Sequence, residues 1–380
     1  MRSLNKKPVM ARWQPVVRAG APIVVGVALA LTPVPQGLSA NAWYYFALFA
    51  AVIVGIIAEP IPASLVGLTG IVVAAGSGLL HTSTASAVNW ALSGFANSTV
   101  WLIFAAYIFS LGYAKTGLGK RISLLLIRAM GKRTLGLGYA IAFADLALAP
   151  LMPSSTARSG GTIYPLIRNI PELYGSRPHD ESARKIGAYL MYTALATTCI
   201  TSSMFLTAAA PNLLVIALVA NAIHVKISWI DWFKGFAPVG IILFALVPIL
   251  LYKIYPPEIK ELPDAPRWAR EELQKMGPVT RKQMTLLALV MAALVLWIGG
   301  AKYIDATLAA VLVVVLMVLL RVVSWNNVIG HAQAWDVLVW FATLVTLAGG
   351  LAEVKFVDWV VQTLAPRSTR VLAPPQLPCS

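Results

Sequence analysis

Apolar stretches long enough to cross the ~30 Å hydrocarbon core of a bilayer recur along the chain at 40–58, 61–80, 98–115, 236–256, 281–299, 302–321 and 335–352, with a longer, interrupted one at 187–223. In lipid every backbone N–H and C=O must be satisfied within its own segment, which makes these stretches helices. The composition agrees: 12% of the 380 residues are charged and the mean hydropathy is +0.75, where a soluble domain carries about 25% charged residues. An ordinary water-soluble enzyme is excluded. The sequence specifies an all-α polytopic membrane protein whose surroundings are the lipid bilayer.

The chain holds 30 Lys+Arg against 15 Asp+Glu. In a soluble protein that surplus would suggest nucleic acid, but here the basic residues sit in the breaks between apolar runs, where they set orientation, and no nucleic-acid partner is expected. Arg2, Lys6, Lys7, Arg12 and Arg18 precede the first apolar run, which starts near Ala21, so the N-terminus is placed on the cytoplasmic side of the membrane. A cleaved signal peptide competes with that reading, with 21–30 as its apolar core and Leu38-Ser39-Ala40 as a cleavage site. Counted from an inside N-terminus, the loops at 116–133 and 253–282 are cytoplasmic. The first carries Lys120, Arg121, Arg128, Lys132 and Arg133, and the second Lys253, Lys260, Arg267, Arg270, Lys275, Arg281 and Lys282. The opposite loops carry no Lys or Arg at 81–97 and only Lys226 and Lys234 at 224–235. Cys199 and Cys379 make neither a disulfide framework nor a metal site.

Residues 134–167 depart from the pattern. The segment is apolar but is interrupted by Pro150, Pro153, Ser154, Ser155, Thr156, Gly160 and Gly161, and both flanks are basic, Lys132-Arg133 before it and Arg168 after it. Both ends therefore belong on one side of the membrane, and a re-entrant helical hairpin with its tip at membrane depth fits best. The run at 187–223 breaks similarly, at 197–203, Thr207 and Pro211-Asn212. Irregular backbone at such depth survives only inside protein or along a wet cavity.

Sliding the chain past itself by about 240 residues brings Pro62-Ala63-Ser64-Leu65 over Asp305-Ala306-Thr307-Leu308. The run at 101–113 with Ala114-Lys115-Thr116-Gly117 then lies over 339–351 with Ala352-Glu353-Val354-Lys355, a symmetry of the kind secondary transporters show. The span count places the copies in opposite orientation, since 117–133 is strongly basic and its counterpart 354–364 sets Lys355 against Asp358. The expected organisation begins with a tail and first span (1–38). A first repeat (39–256) follows, with scaffold helices at 40–80, a transport part at 98–223 containing the hairpin, and a helix at 236–256. A cytoplasmic loop (257–280), an incomplete second repeat (281–364) and a divergent tail (365–380) complete it. The mate of the hairpin tip would fall near position ~394, beyond the last residue, and the tail is Pro-rich, with Pro374, Pro375 and Pro378. A truncated chain is the expectation.

Chemistry centres on Pro153-Ser154-Ser155-Thr156-Ala157-Arg158-Ser159-Gly160-Gly161. At a hairpin tip the incoming half-helix ends in unpaired carbonyls and the returning one begins with unpaired N–H groups. The N–H end, with the hydroxyls of Ser155 and Thr156, suits a carboxylate, while the carbonyl end with Ser154 suits a small cation. Gly160 and Gly161 would permit close backbone approach. An arginine at the centre of an apolar hairpin is costly unless it meets an anion or a carboxylate. Arg158 therefore serves a bound anion, pairs permanently with Asp145, or does both, and the sequence leaves these open. Hydroxyls and amides of the second break supply further ligands, although Ser/Thr helix packing explains part of them.

Enzymatic patterns fail. Gly119-Lys120-Arg121 lacks the first glycine and the final Ser or Thr of a phosphate loop, His81, His179, His224 and His331 are isolated, and Ser182 with Lys185 lies in a charged loop.

The succession Gly117-Leu118-Gly119-Lys120-Arg121-Ile122, Thr134-Leu135-Gly136-Leu137-Gly138-Tyr139, Pro153 to Gly161 as quoted above, and Thr201-Ser202-Ser203-Met204-Phe205-Leu206-Thr207 resembles the divalent anion:sodium symporter family. It is most similar to the branch of bacterial citrate/succinate exchangers and plastid 2-oxoglutarate/malate translocators. The similarity runs from about residue 40 to 360 and is specific in the middle third. It implies a homodimeric, inverted-repeat, elevator-type carrier of di- and tricarboxylates; a scaffold-only subunit that dimerises through 40–80 and 281–321 is the alternative of another class. The family tip is usually Ser-Asn-Thr, so Ser154, Ser155 and Thr156 would take its positions, with Ser155 in place of asparagine. Substrate residues implied are Ser154, Ser155, Thr156, Arg158, Thr207, Pro211 and Asn212. Sodium at Ser154 and Ser155 is the one cofactor implied, and the Ser155 departure weakens it. Arg158 as a fixed positive charge would instead support obligate dicarboxylate exchange. The alternatives are sodium-coupled dicarboxylate or sulfate symport, or a non-transporting fragment.

Overall fold

A computed structural model describes residues 9–223, 225, 227–300 and 303–363. Arg2, Lys6, Lys7, His224, Lys226, Cys379 and the 365–380 tail lie outside the described residues. Along the chain run α1 (Val9–Leu31), α2 (Ala40–Ala58), α3 (Ala63–Gly76), α4 (Thr84–Leu92), α5 (Ser98–Thr116), α6 (Leu118–Met130) and α7 (Thr134–Leu148). A π-helical stretch (Thr156–Ile163) then leads into α8 (Tyr164–Ile167), α9 (Asn169–Leu173), α10 (Gly187–Met204), α11 (Ala210–Ile223), α12 (Trp229–Ile254) and α13 (Asp264–Met276). The remainder is α14 (Arg281–Gly299), α15 (Ala306–Leu319), α16 (Trp325–Ile329) and α17 (Ala332–Glu353). Among the described residues six segments are long and apolar enough to cross a membrane: α2, α5, Thr134–Leu151, α12, α14 and α17.

Local chemistry explains the boundaries. Ser39 accepts the amide of Ala42 to start α2, and Glu59 in the left-handed region (φ 46°) stops it. Thr280 and Gln283 form a reciprocal cap on α14, so the runs at 40–58 and 281–299 become helices of just that extent. Elsewhere the expected spans need correction. The runs at 61–80 and 302–321 yield helices of only 14 residues each, α3 and α15. Pro62 and Asp305 begin them late, while Gly78 (φ 69°) and Arg321 (φ 58°) turn the chain soon after they end. At 1.5 Å per residue each reaches roughly 21 Å, short of the hydrocarbon thickness. Helix α12 starts at Trp229 rather than 236, because Ser228 and Asp231 build a capping box there. Helix α1 starts at Val9, ahead of the expected Ala21. The loop at 81–97 contains α4, and the loop at 257–280 contains α13.

The chain forms two compact units. Among the described residues, one comprises 9–100, 217–223, 225 and 336–363, and the other 101–216, 227–300 and 303–335. In the first, α17 lies against α3 and the α4 region: a Cβ on Gly67 would stand 2.0 Å from Thr343 Oγ1, and one on Gly94 would stand 1.9 Å from the carbonyl oxygen of Ala342. Tyr45 donates to Leu347 O at 2.8 Å in the same packing. In the second, α5 lies against α14 and α15 through Gly112, whose missing Cβ leaves room for Met317 and Leu286, and Gln283 donates to Thr116 O at 2.8 Å. Thus α5 packs on α14 and α15, and α17 on α3 and the α4 region.

Helix α13 is clamped to α6. Arg121 on α6, nearly buried, donates to Gly277 O (2.9 Å) and Pro278 O (3.2 Å) just past the C-terminus of α13, where a cation complements the helix dipole. Glu272 receives Lys275 at 2.8 Å and Lys120 of α6 at 2.9 Å.

Replacing Gly94 by Ala should destabilise the first unit by about 1–3 kcal/mol, because backbone must move to admit the methyl. Gly349→Ala, whose Cβ would meet nothing within 4 Å, should stay within about 0.5 kcal/mol of the parent; unfolding in detergent measures both. Hydrogen bonds from Lys275 and then Lys120 hold Glu272 below the usual carboxylate range. Its contribution to docking α13 is therefore complete above the unfolded value of about 4.3 and is lost as pH falls through the lower folded value. Acid titration followed by the fluorescence of Trp268, within α13, should show that step, and Glu272→Gln should abolish it.

Candidate functional site

The hairpin reverses. Asp145 on α7 and Arg158 in the π-helical stretch are 13 positions apart, yet Asp145 Oδ1 lies 3.1 Å from Arg158 Nε. On one continuous helix they would be roughly 20 Å apart. Both ends of the hairpin also meet the same short segment. Thr134 at the start donates its amide to Lys260 O at 3.0 Å, while Tyr174 past the end accepts the amides of Asp264 (3.0 Å) and Ala265 (3.1 Å). The stretch Thr134–Leu151, although long enough to span, therefore leads into a return and does not cross straight through.

Asp145 and Arg158 are both fully buried, with 0% exposure. Asp145 Oδ1 accepts from Thr198 (2.7 Å), Arg158 and Ser159 (3.2 Å), and Oδ2 accepts from Thr201. The Ser159 and Thr198 hydroxyls also lie in contact with each other, and when one donates to the other it gives up its bond to Asp145. Arg158 Nη1 donates to Met152 O (2.9 Å) and Ala208 O (3.0 Å), and Nη2 donates to Ser202 Oγ (2.7 Å) and, more weakly, Thr201 Oγ1 (3.4 Å). A guanidinium has five N–H donors, and all five have protein acceptors here. Of the two readings the sequence left open for Arg158, pairing with Asp145 is realised, and in this conformation no donor remains for a solute.

The second break comes to the same place. Ala210 N donates to Pro153 O at 2.9 Å, and Thr207 Oγ1 donates to Pro150 O at 2.5 Å while accepting from Trp229 Nε1 at 3.2 Å. Asn212 Nδ2 donates to Ser202 O (2.7 Å) and Phe205 O (3.1 Å), spanning the unwound turn between α10 and α11. Ser154, buried, caps the return by accepting the amide of Ala157 at 3.2 Å. The expected residues are thus brought together, but Ser154, Arg158, Thr207 and the amide nitrogen of Asn212 are engaged in holding the two breaks. Half-buried Ser155 and exposed Thr156 remain: among the described residues neither hydroxyl has a hydrogen bond, and they stand where the return begins. Exposed Pro211 lies at the start of α11.

A Cβ on Gly161 would meet nothing within 4 Å, and one on Gly160 only a methyl at 3.9 Å, so no other part of the protein packs tightly against this face. Composition gave no warning of the stacked aromatics Phe205, Trp229 and Phe233 beside the second break; Trp229, directly after the Ser228 cap, was the available signal. A cavity of about 330 Å³ behind them touches the site only through Thr207.

Carbonyl ends and N–H ends of broken helices gathered inside an apolar protein serve a solute that must leave water, and such a fold is that of a secondary membrane transporter. Residues 14–376 match the family model described as the sodium:sulfate symporter transmembrane region. The chain is 49% identical over 371 residues to proteins named L-tartrate/succinate antiporter from Shigella sonnei (strain Ss046) and Escherichia coli (strain K12), the alignment covering 94% of this chain and 75% of each relative. A further protein of that name, from Shigella boydii serotype 4 (strain Sb227), is 48% identical over the same length. The chain belongs to the divalent anion:sodium symporter family, and it is a multi-pass inner-membrane protein.

Removing either partner of a buried ion pair typically costs about 3–5 kcal/mol, because the other charge is left stranded. Asp145→Leu and Arg158→Met should each lose that much, while the double variant should lose clearly less than the two single losses combined. Unfolding of the purified variants in detergent measures the cycle.

Proposed function

We propose that this chain exchanges dicarboxylates of the size of succinate, malate and tartrate across the inner membrane, without sodium coupling. The observation that carries the reading is the Arg158 guanidinium lying across the carbonyls of Met152, in the hairpin tip, and Ala208, in the second break. Carbonyl ends converging at one point call for a cation. Coupling to an ion gradient requires a cation that arrives and leaves with the solute, and one covalently attached to the chain does neither. The donor set a sodium ion would need at Ser154 and the tip carbonyls is taken up by the protein itself, so it does not suit that ion. In this reading Arg158 is a positioning residue. The solute's carboxylates meet the hydroxyls of Ser155 and Thr156 and the N–H end of the returning helix, with Pro211 and Asn212 forming the opposite wall.

In this reading the N–H end of the return is left without its anion when the site is empty, so the carrier crosses loaded in both directions. That is exchange. The names of the relatives, L-tartrate/succinate antiporters, support the same solute class. The proposal extends to a homodimer with an inverted repeat, moving by an elevator-type displacement, with a cytoplasmic N-terminus. Sodium-coupled symport remains the second reading, favoured by the description of the family model.

Labelled succinate should enter proteoliposomes preloaded with unlabelled dicarboxylate and not empty ones, at a rate indifferent to sodium. Sodium-driven entry into empty vesicles would replace exchange with symport, and no entry in either arm would favour the non-transporting fragment. Arg158→Lys should abolish exchange, because one ammonium cannot reach all the acceptors the guanidinium spans. Thr156→Ala should raise KM with little change in unfolding temperature, since it breaks no internal hydrogen bond.

A further inference from the structure

We propose that a basic cavity at the foot of the hairpin, lined by Lys132, Arg133, Arg267 and Arg270, holds a phosphate group, that of an anionic membrane lipid. The cavity measures about 550 Å³ and is completed by Glu261, Pro263 and Pro266. It lies where the chain enters the hairpin and where α13 begins. Backbone fixes its walls: Leu262 N donates to Lys132 O at 2.8 Å, Thr134 N to Lys260 O at 3.0 Å, and Arg133 faces Glu261 across an antiparallel bridge. Arg267 is partly spent on Glu271, at 3.3 Å. Among the described residues Lys132, Arg133 and Arg270 form no ion pair, and all four cations are exposed.

Orientation in a membrane calls for basic residues near the ends of spans, wherever they point. It does not call for four of them to converge on one cavity that contains a single carboxylate. Like charges held together by a rigid backbone repel, and a bound anion removes that cost. The apolar stretch of the hairpin starts directly after Arg133, so the cavity sits at the level where protein passes from hydrocarbon to water. Lipid phosphates are concentrated at that level, and basic pockets between membrane helices are where such headgroups dock. A phosphate bound there would tie Lys132-Arg133, the entry to the hairpin, to the first turn of α13. The inference does not rest on the transport reading.

The test uses the purified full chain in neutral detergent, titrated separately with cardiolipin, phosphatidylglycerol, phosphatidylcholine and soluble glycerol phosphate. Native mass spectrometry reads bound lipid, and thermal unfolding reads stabilisation. Cardiolipin and phosphatidylglycerol should remain bound and raise the unfolding temperature, while phosphatidylcholine and glycerol phosphate should do neither. At about fivefold for each basic residue, Lys132→Gln with Arg270→Gln should weaken anionic-lipid binding roughly 30-fold. The charge-conserving pair Lys132→Arg with Arg270→Lys should retain binding, which separates lost charge from lost fold. Equal retention of phosphatidylcholine, or undiminished anionic-lipid binding by the Gln variant, would overturn the site. Stabilisation by glycerol phosphate to the same extent would overturn the lipid as its occupant.

Discussion

A charged pair with no exposure to solvent is among the most expensive things a membrane protein can contain, and the hairpin is organised around one. Asp145 and Arg158 survive burial because they pair with each other, all five guanidinium N–H groups have acceptors, and both carboxylate oxygens accept hydrogen bonds. Those partners come from four places in the chain: the incoming limb, the return, the last turns of α10 and the unwound stretch before α11. No two of these could separate without stranding a charge in a low-dielectric interior. The reversal at the tip and the break between α10 and α11 are therefore one structure, held by one guanidinium.

That bond set also assigns the remaining groups. A broken helix leaves carbonyls at one end and N–H groups at the other. Arg158 takes up carbonyls from both breaks, at Met152 and Ala208, and Asn212 takes up Ser202 O and Phe205 O. The acceptor ends are thereby consumed within the protein, whereas the hydroxyls beside the N–H end, on Ser155 and Thr156, are not. The polarity left over favours an anion, and it arises from the pairing geometry rather than from any excess of basic side chains at the tip.

Much of this was legible in the order of residues. Helices α2 and α14 each start directly after a side-chain cap, Ser39 and Thr280, so hydropathy and capping agree to the residue there. The hairpin was legible because prolines and hydroxyls interrupt an apolar run whose two flanks are basic. Helices α3 and α15 were over-read because hydropathy continues past Gly76 and Leu319, whereas the ends are set by backbone turns at Gly78 and Arg321, and an arginine gives no sign that it will adopt positive φ. Helix α12 was under-read because Asp231 and Lys234 resemble loop residues until the bond between Ser228 and Asp231 turns them into a first helical turn. The partner of Arg158 was undecidable for a different reason. Asp145 stood 13 positions away as a candidate, but choosing it over a bound anion requires counting all five donors, and three of their acceptors are backbone or side-chain oxygens beyond residue 200.

An exchanger must bind two different anions at comparable strength and release both. A guanidinium free to form a bidentate pair with a carboxylate would bind tightly and slowly release. With Arg158 turned inward, the proposed contacts reduce to neutral hydroxyls and a helix end. Each such hydrogen bond contributes only about 0.5–1.5 kcal/mol net. Hydroxyls both donate and accept, so they can adapt to a plain dicarboxylate or to one that carries its own hydroxyl groups, where a fixed donor array would reject one of the two. In the proposed exchanger, internal pairing of the hairpin's single cation, Arg158, leaves loose and reversible contacts for the anion at the tip.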